Sequence, residues 1–235
     1  MRKISIPQIL FFFSQFSFIL LTSTFFANYI THLTNFANLQ PLLGLFLLLL
    51  FYQFFGLVFY RLNLLWHPIP IGEIPPHSKA EHSYHLHLLY HILFFHPIMR
   101  SHILPVPIMK LYYICLGVKI GANSFSSGVI FDSLFVKIGH NTLIGHQAAL
   151  IPHAIEGEFL AHYPITLGDH VTIGTGAKIL GGVIIDDYAI VSANAVVIKG
   201  THIQKGEIWG GVPAKLISKR QDLGPDLSSI ARNAI

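Results

Sequence analysis

An aliphatic residue recurs at every sixth position through the second half of this chain. The run begins at Leu167 and continues with Ile173, Ile179, Ile185, Val191, Val197 and Ile203. A period of six fits neither an α-helix nor a two-faced strand, but it fits a short strand followed by a turn, repeated so that each aliphatic side chain points to one interior axis. Three such sides close one coil. The pattern therefore predicts a mainly β fold, a parallel β-helix over residues 118–217.

The same register continues upstream, with gaps. It includes Ile120, Ile138, Ile144 and Leu150, while the two hexads that start at Ser126 and Asp132 lack the aliphatic residue. The spacing breaks between Leu150 and Leu167, which are 17 positions apart rather than 12 or 18. An excursion of about 11 residues, Glu156–Thr166, is therefore predicted to leave the coil. A loop that interrupts a regular solenoid is where site-forming side chains are expected.

The first part of the chain has a different composition. No Asp, Glu, Lys or Arg lies between Lys3 and Arg61. A membrane-spanning helix needs about 20 apolar residues, so this uncharged run is long enough for two. The polar segment Thr31–Pro41 supplies a turn, which leaves Pro7–Tyr29 and Leu42–Tyr60 as helices with Tyr29 and Tyr60 at the membrane interfaces. We therefore predict a transmembrane helical hairpin over residues 1–66.

The positions of the basic residues predict the orientation of this hairpin. Arg2 and Lys3 precede the first span and Arg61 follows the second, while the turn between them has no basic residue. By the positive-inside rule both ends face the cytoplasm, which predicts a multi-pass protein of the inner (cytoplasmic) membrane with a cytoplasmic catalytic domain. A cleaved signal peptide ending at Ala27 is the alternative, and the bulky Phe25 two positions before it disfavours cleavage.

A connector, residues 67–117, joins the hairpin to the repeats. Its apolar segment Leu86–His96 has polar positions about one helical turn apart, which predicts one or two interfacial helices on the inner leaflet. His87 and His91 stand at i and i+4, so a metal site here is an alternative, although no Cys or carboxylate completes a ligand set. The single cysteine, Cys115, is expected to be a small buried hydrophobe rather than a nucleophile. Residues 218–235 form a C-terminal tail.

The charge of the chain excludes one class of partner. The formal net charge is +4, and Arg2 and Lys3 at the start of the chain contribute half of it. The remaining residues are nearly balanced, so we expect no nucleic-acid partner.

Two motifs resemble those of the bacterial hexapeptide-repeat acyltransferases, and most of all their membrane-associated branch. Leu150-Ile151-Pro152-His153-Ala154-Ile155-Glu156-Gly157 contains a His-x-x-Glu before the loop, and Trp209-Gly210-Gly211-Val212-Pro213-Ala214-Lys215 is similar to the end of the repeats in that family. The resemblance implies a left-handed parallel β-helix, a homotrimer, and acetyl-CoA or another acyl-CoA as co-substrate, with no permanently bound cofactor or metal. It also implies a backbone N–H for the oxyanion and the following CoA-binding residues: Gly181, Gly182, Lys199, Trp209, Gly211 and Lys215.

His153 also has a physical rationale of its own. Acyl transfer from a thioester to a hydroxyl or an amine needs a neutral base near physiological pH, and imidazole has a suitable pKa. Glu156 is predicted to accept the second ring N–H and so to fix the tautomer of His153. A nucleophilic residue is not needed, because the acceptor attacks the thioester directly. His162 is the reserve candidate for the base.

Two other functions remain open. The histidines His140, His146 and His153 look superficially like the zinc ligands of a γ-type carbonic anhydrase, but His146 and His153 are seven positions apart where the resemblance calls for five. A trimeric membrane scaffold without activity is the second alternative. The predicted hairpin favours an acyltransferase whose acceptor is presented at the bilayer, such as a lipid-linked sugar or a sugar of a surface polysaccharide.

Overall fold

The chain divides into two compact units. The structure is a computed structural model that describes residues 2–34, 39–101 and 103–220. Met1–Ile103 and Ile155–Leu160 form one unit, here called the helical unit, and Leu104–Ala154 and Ala161–Ile235 form the other, here called the coil unit. The predicted connector is therefore not a separate part, because it is divided at Leu104 between the two units.

The helical unit is built on two long apolar helices. Its elements are α1 (Ile6–Leu33), α2 (Gln40–Trp66), β1 (Gly72–Glu73), α3 (Lys79–Tyr90), a π-helical turn (His91–Phe95) and α4 (His96–Ser101). Both long helices extend beyond the predicted ends. Thr31, which was assigned to the turn, lies in α1 instead, and its hydroxyl donates to the Ala27 carbonyl oxygen at 2.7 Å. Part of the predicted turn, residues 35–38, and most of the predicted tail, residues 221–235, lie outside the described residues.

By length and composition, α1 and α2 are each able to cross a membrane. In their most apolar windows only 17% and 11% of the residues are buried within the protein. Phe13, Phe25, Leu42 and Phe46 are among the large apolar side chains left exposed. The core helix of a soluble protein would bury such side chains, so their exposure favours contact with lipid.

A third helical segment packs along α2. A Cβ added at Gly56 would lie 2.3 Å from the Phe94 ring, so the glycine allows this close approach. The Gln53 amide donates to the Phe94 carbonyl oxygen at 3.2 Å, within the π-helical turn. Tyr60 is only 2% exposed, and its hydroxyl lies 3.0 Å from His87 Nδ1. Tyr60 is therefore packed inside the helical unit, and the predicted interfacial segment packs against the hairpin helices, while their location at a membrane interface stays a prediction.

A buried polar cluster joins the three helices. The side-chain amides of Gln15 in α1 and Asn63 in α2 hydrogen-bond to each other at 3.1 and 3.0 Å. The Tyr90 hydroxyl of α3 donates to Gln15 Oε1 at 2.8 Å. Polar groups surrounded by apolar residues need such partners, so this cluster fixes the register of α1, α2 and α3.

The coil unit begins with the helix α5 (Val106–Leu116), which ends at Gly117 with φ of 116°. The Tyr113 hydroxyl donates to the Gly128 carbonyl oxygen at 2.8 Å and accepts from the Ile130 amide at 3.2 Å. These bonds explain why α5 belongs with the coil. Cys115 is exposed, so the expectation of a buried cysteine is wrong.

The remaining strands are short and numerous. They are β2 (Lys119–Ile120), β3 (Phe125–Ser126), β4 (Val129–Ile130), β5 (Val136–Ile138), β6 (Leu143–Ile144), β7 (Ala149–Ile151), β8 (His153–Glu156), β9 (Phe159–His162), β10 (Ile165–Leu167), β11 (Thr172–Ile173), β12 (Lys178–Leu180), β13 (Ile184–Ile185), β14 (Ile190–Val191), β15 (Val196–Val197), β16 (His202–Ile203), β17 (Glu207–Gly211) and β18 (Ala214–Lys219). Three sheets have the orders β16-β13-β10-β5-β2, β18-β17-β14-β11-β6-β3 and β15-β12-β7-β4, and a fourth small sheet is β1-β9-β8.

The three larger sheets confirm the hexapeptide coil. Their strands pair in parallel, apart from the antiparallel β17–β18 hairpin, and successive strands of the chain visit the three sheets in rotation. The seven aliphatic residues from Leu167 to Ile203 are each no more than 1% exposed. In parallel strands, residues 18 positions apart align, as Ile173 does with Val191. The left-handed sense of the coil stays a prediction.

The first turn of the coil has a shifted register. Ser126 occupies the inward position beside Ile144 and is 1% exposed. Ile130, two positions before Asp132, pairs with Leu150 and is fully buried. The chain between Ile130 and Val136 is lengthened in compensation, and it contains a 3₁₀ turn at Ser133–Phe135. Asp132 is thereby released from the interior row that the hexad pattern assigned to it.

Candidate active site

A β-hairpin interrupts the coil where the spacing predicted an excursion. The Tyr163 amide donates to the Pro152 carbonyl oxygen at 2.8 Å and so closes the base of the β8–β9 hairpin. The predicted bounds need correction at both ends. The hairpin begins at His153 rather than at Glu156, and Thr166 is already back in the coil, paired with Lys137.

His153, the predicted base, opens this hairpin and bonds to a buried carboxylate. Its Nδ1 is hydrogen-bonded to Oδ2 of Asp132. The side chain of Asp132 is 7% exposed and that of His153 is 27% exposed. Asp132 has a left-handed backbone with φ of 39° and stands directly before the 3₁₀ turn. The pair therefore joins the two irregular segments of an otherwise periodic coil.

The partner carboxylate differs from the one predicted. Glu156 is exposed at the last position of β8, and the structure pairs His153 Nδ1 with Asp132 instead. Asp132 is 21 positions before His153, beyond the reach of any local motif. The one available signal was that the hexad beginning at Asp132 lacks its aliphatic residue. This absence marked an irregular turn, but it did not show which residue Asp132 contacts.

One aromatic ring contacts His153, and a second aromatic contact involves His162. The Phe131 and His153 rings meet edge to face with centroids 6.0 Å apart. His162, the reserve candidate, is fully buried and stacks on Phe135 with centroids 4.5 Å apart. His162 is therefore enclosed by the protein, whereas the His153 ring remains partly accessible to solvent.

Two opposing influences act on the pKa of His153. Burial alone lowers this pKa, because it disfavours the charged ring. The hydrogen bond to Asp132 and the negative charge of Asp132 raise it by more, so the pKa lies above its ordinary value. A carboxylate can only accept, so the neutral ring carries its proton on Nδ1 and presents the Nε2 lone pair. This is the tautomer that a general base requires.

Three of the predicted CoA-binding residues lie at the corner of the coil that carries the hairpin base. The Gly182 amide donates to the Tyr163 carbonyl oxygen at 3.1 Å, and the Gly200 amide donates to the Gly181 carbonyl oxygen at 3.1 Å. A Cβ at Gly181 would lie 2.7 Å from the Pro152 carbonyl oxygen. Lys199, which is exposed, precedes Gly200 in the same column of turns. Gly181, Gly182 and Lys199 are therefore brought together.

The other three predicted residues lie on a different sheet. Trp209, Gly211 and Lys215 belong to the β17–β18 hairpin, in which Trp209 pairs with Leu216. The Trp209 indole N–H donates to Glu207 Oε2 at 2.9 Å, and Lys215 is exposed. The predicted CoA residues thus form two separate groups along the coil, and their contact with CoA stays a prediction.

The histidines do not form the ligand set considered for zinc. His140 Nδ1 accepts a hydrogen bond from the Ala122 amide at 2.9 Å, and His153 Nδ1 is bonded to Asp132. Within residues 2–34, 39–101 and 103–220, no three His, Cys, Asp or Glu side chains converge as metal ligands. Within the described residues of one chain these histidines therefore do not gather as zinc ligands, and we derive no step through zinc.

The chain matches a family model and several known proteins. Residues 164–199 match the family model described as bacterial transferase hexapeptide (six repeats). The chain is 36% identical over 101 residues to the mitochondrial gamma carbonic anhydrase 1 of Arabidopsis thaliana, which covers 43% of this chain and 31% of that protein. The chain thus spans about a third of the length of this plant relative.

A bacterial relative is matched over most of its length. The chain is 33% identical over 129 residues to the putative acetyltransferase YvoF of Bacillus subtilis, covering 52% of this chain and 72% of the relative. A solved hexapeptide-repeat acetyltransferase from Vibrio cholerae, in complex with acetyl-CoA, is 26% identical with a TM-score of 0.42, covering 45% of this chain and 62% of that one. With its periodic coil and its match to YvoF, this chain belongs to the hexapeptide-repeat acyltransferase family.

Proposed function

We propose that this protein is an acyltransferase that uses acyl-CoA, with acetyl-CoA as the first donor to test. The observation that carries the proposal is the His153–Asp132 pair at the interruption of the coil. A β-helix that served only as a scaffold would not need a buried carboxylate bonded to a half-buried imidazole, because burying such groups is costly. The family and the names of relatives such as the putative acetyltransferase support the same reaction class.

In the proposed reaction His153 is the general base and Asp132 its positioning residue. Nε2 of His153 takes the proton of the acceptor hydroxyl or amine as that group attacks the thioester carbonyl carbon. Asp132 holds Nδ1–H and stabilises the imidazolium that forms. The tetrahedral intermediate collapses, the C–S bond breaks, and the imidazolium returns the proton to the CoA thiolate. The acyl group is then on the acceptor, and His153 is neutral again.

Two features of the helical unit favour an acceptor that is presented at a membrane. α1 and α2 have the length and composition of membrane spans and leave most of their apolar side chains outside the protein core. We therefore propose a multi-pass protein of the inner (cytoplasmic) membrane with its coil in the cytoplasm. The acceptor is a lipid-linked or surface-polysaccharide sugar, acylated on oxygen, and the acyl-CoA lies along the coil of a homotrimer.

The test is transfer of the labelled acetyl group from acetyl-CoA to a membrane extract by the purified protein. We expect His153→Ala to lower the rate by about 10²-fold or more, on the scale of general-base catalysis. A matched control is His202→Ala, because His202 Nε2 also bonds a carboxylate, Asp186 Oδ2 at 2.9 Å, but the His202 side chain is 55% exposed. This control should keep the wild-type rate. An unchanged rate in His153→Ala would remove His153 from the mechanism.

The same preparation tests the scaffold alternative. A scaffold predicts no acetyl-CoA-dependent labelling by the wild-type protein and no difference between His153→Ala and His202→Ala. Transfer that is lost only in His153→Ala contradicts that alternative.

A further inference from the structure

The helical unit contains an apolar pocket that the proposed chemistry does not use. Its volume is about 140 Å³. Ile4, Tyr84, Leu88, Ile155 and Phe159 contribute apolar side chains to its lining. A roughly 150 Å³ cavity with apolar walls stays dry and accepts a benzene-sized hydrocarbon. The pocket therefore has the size and surface to hold about six carbon atoms of a hydrocarbon chain.

The charged group at the pocket is neutralised internally. The Arg2 guanidinium forms an ion pair with Glu81 at 3.2 Å, and both side chains are 11% exposed. Arg2 also donates to the Ile74 carbonyl oxygen at 2.7 Å and to the Glu158 carbonyl oxygen at 2.9 Å. Through these bonds Arg2 holds the tip of the β8–β9 hairpin in place. The pocket wall thus offers little attraction to an anionic headgroup.

A histidine at the pocket is also suited to an apolar occupant. His85 is 2% exposed, and its Nδ1 lies 3.0 Å from Gln8 Oε1. Burial lowers the pKa of His85, and this effect outweighs the opposing negative charge of Glu81; electrostatic interactions with His82 and Arg2 lower the pKa further. The ring is therefore neutral at neutral pH.

The position of the pocket in the helical unit points to lipid. Ile4 lines it, and α1, the first candidate span, begins two positions later at Ile6. The end of a membrane span lies where hydrocarbon chains meet headgroups. Another wall is Ile155, which follows His153 by two positions in the sequence.

We infer that this pocket binds the hydrocarbon chain of a lipid acceptor. The inference rests on the proposed function, because it specifies the acceptor as a molecule with an aliphatic tail. Each buried methylene strengthens binding about fourfold, so a segment of this size contributes substantially to acceptor affinity. The tail selects lipid-borne acceptors over free sugars.

The test is photolabelling of the full-length protein in phospholipid nanodiscs with hexadecyl phosphate that carries a diazirine at the end of its chain. Mass spectrometry should place saturable labelling in residues 84–88 and 155–160. Leu88→Trp fills the pocket and should lower this labelling at least about tenfold, because it excludes two or more methylenes. Leu88→Phe should give a smaller loss.

Two matched controls should keep the labelling. Leu88→Met conserves the side-chain volume. Ile92→Trp adds the same bulk one helical turn further along, where the side chain is 50% exposed. Labelling spread over the exposed faces of α1 and α2 without a saturable component in the pocket would overturn the inference, as would labelling that Leu88→Trp leaves unchanged.

Competition with unlabelled compounds shows whether the hydrocarbon chain in the pocket comes from a lipid or from acyl-CoA. Excess unlabelled hexadecyl phosphate should suppress the labelling and octanoyl-CoA should not; suppression by octanoyl-CoA alone would assign the pocket to the donor and contradict the inference. Labelling requires no turnover, so His153→Ala should be labelled like the wild type. Failure of the pocket and failure of the acyltransferase proposal are thus distinguishable.

Discussion

The coil unit contains a periodic stretch, residues 167–203, and an interrupted stretch, residues 126–154 and 161–166. In the periodic stretch every sixth residue is aliphatic and buried, and each strand lies beside the strand of the next turn. In the interrupted stretch the inward row shifts to Ile130, and a hairpin leaves the coil between Pro152 and Tyr163. The pair formed by the half-buried His153 and the buried Asp132 belongs to the interrupted stretch. The candidate catalytic pair thus lies where the regular winding is interrupted.

The largest expected effect is on stability in the periodic stretch. Ile179 is fully buried, and Ile179→Ala should lower the free energy of unfolding by about 2–5 kcal/mol through lost burial and a residual cavity. The control Ile198→Ala, at a side chain that is 52% exposed, should cost less than about 0.5 kcal/mol. Thermal unfolding followed by circular dichroism measures both. Equal losses would mean that the sixth-position row is not the core.

The next largest effect is expected on the rate of acyl transfer, from a substitution in the interrupted stretch. Asp132→Asn keeps the shape of the side chain but removes the charge that holds His153 in the base tautomer, so the transfer rate should fall by about 10²-fold. Asp186→Asn makes the same change in the exposed His202–Asp186 pair and should leave the rate unchanged. Labelled acetyl transfer measures both variants. A wild-type rate for Asp132→Asn would show that Asp132 does not position the base.

The smallest effect is on the pH dependence. Transfer needs neutral His153, so kcat/KM should rise with pH through the pKa of His153, with a midpoint above the ordinary value of 6.5. Asp132→Asn removes the negative charge that raises this pKa, while burial still lowers it, so the midpoint of the residual rate should move to lower pH. A midpoint that stays in place would assign the titration to another group. The profile of Asp186→Asn is the control.

The six-residue period allowed the coil to be predicted from the sequence. The places where the period is broken could be predicted only in part. The row from Leu167 to Ile203 was predicted residue by residue, because each position in a solenoid repeats the same environment. His153 was singled out by its place before the break. Asp132 was missed, because its contact depends on a register shift at Ile130 that a list of missing aliphatic residues does not define.

The helical unit shows a second limit of the sequence pattern. The apolar composition predicted two long helices, and the structure has α1 and α2 at those places. The segment Leu86–His96 has the amphipathic pattern of an interfacial helix, yet the structure packs it against α2. The reason is the fit of Phe94 on Gly56 and of His87 on Tyr60, which are contacts between residues remote in sequence.

A double-mutant cycle on His153 and Asp132 tests the central claim most directly. The labelled acetyl transfer rate is measured for wild type, His153→Ala, Asp132→Asn and the double variant. If Asp132 acts only through His153, the double variant should be within about twofold of His153→Ala alone. Losses that multiply, to about 10⁴-fold in the double variant, would mean that the two side chains act independently and would contradict the site described for this coil.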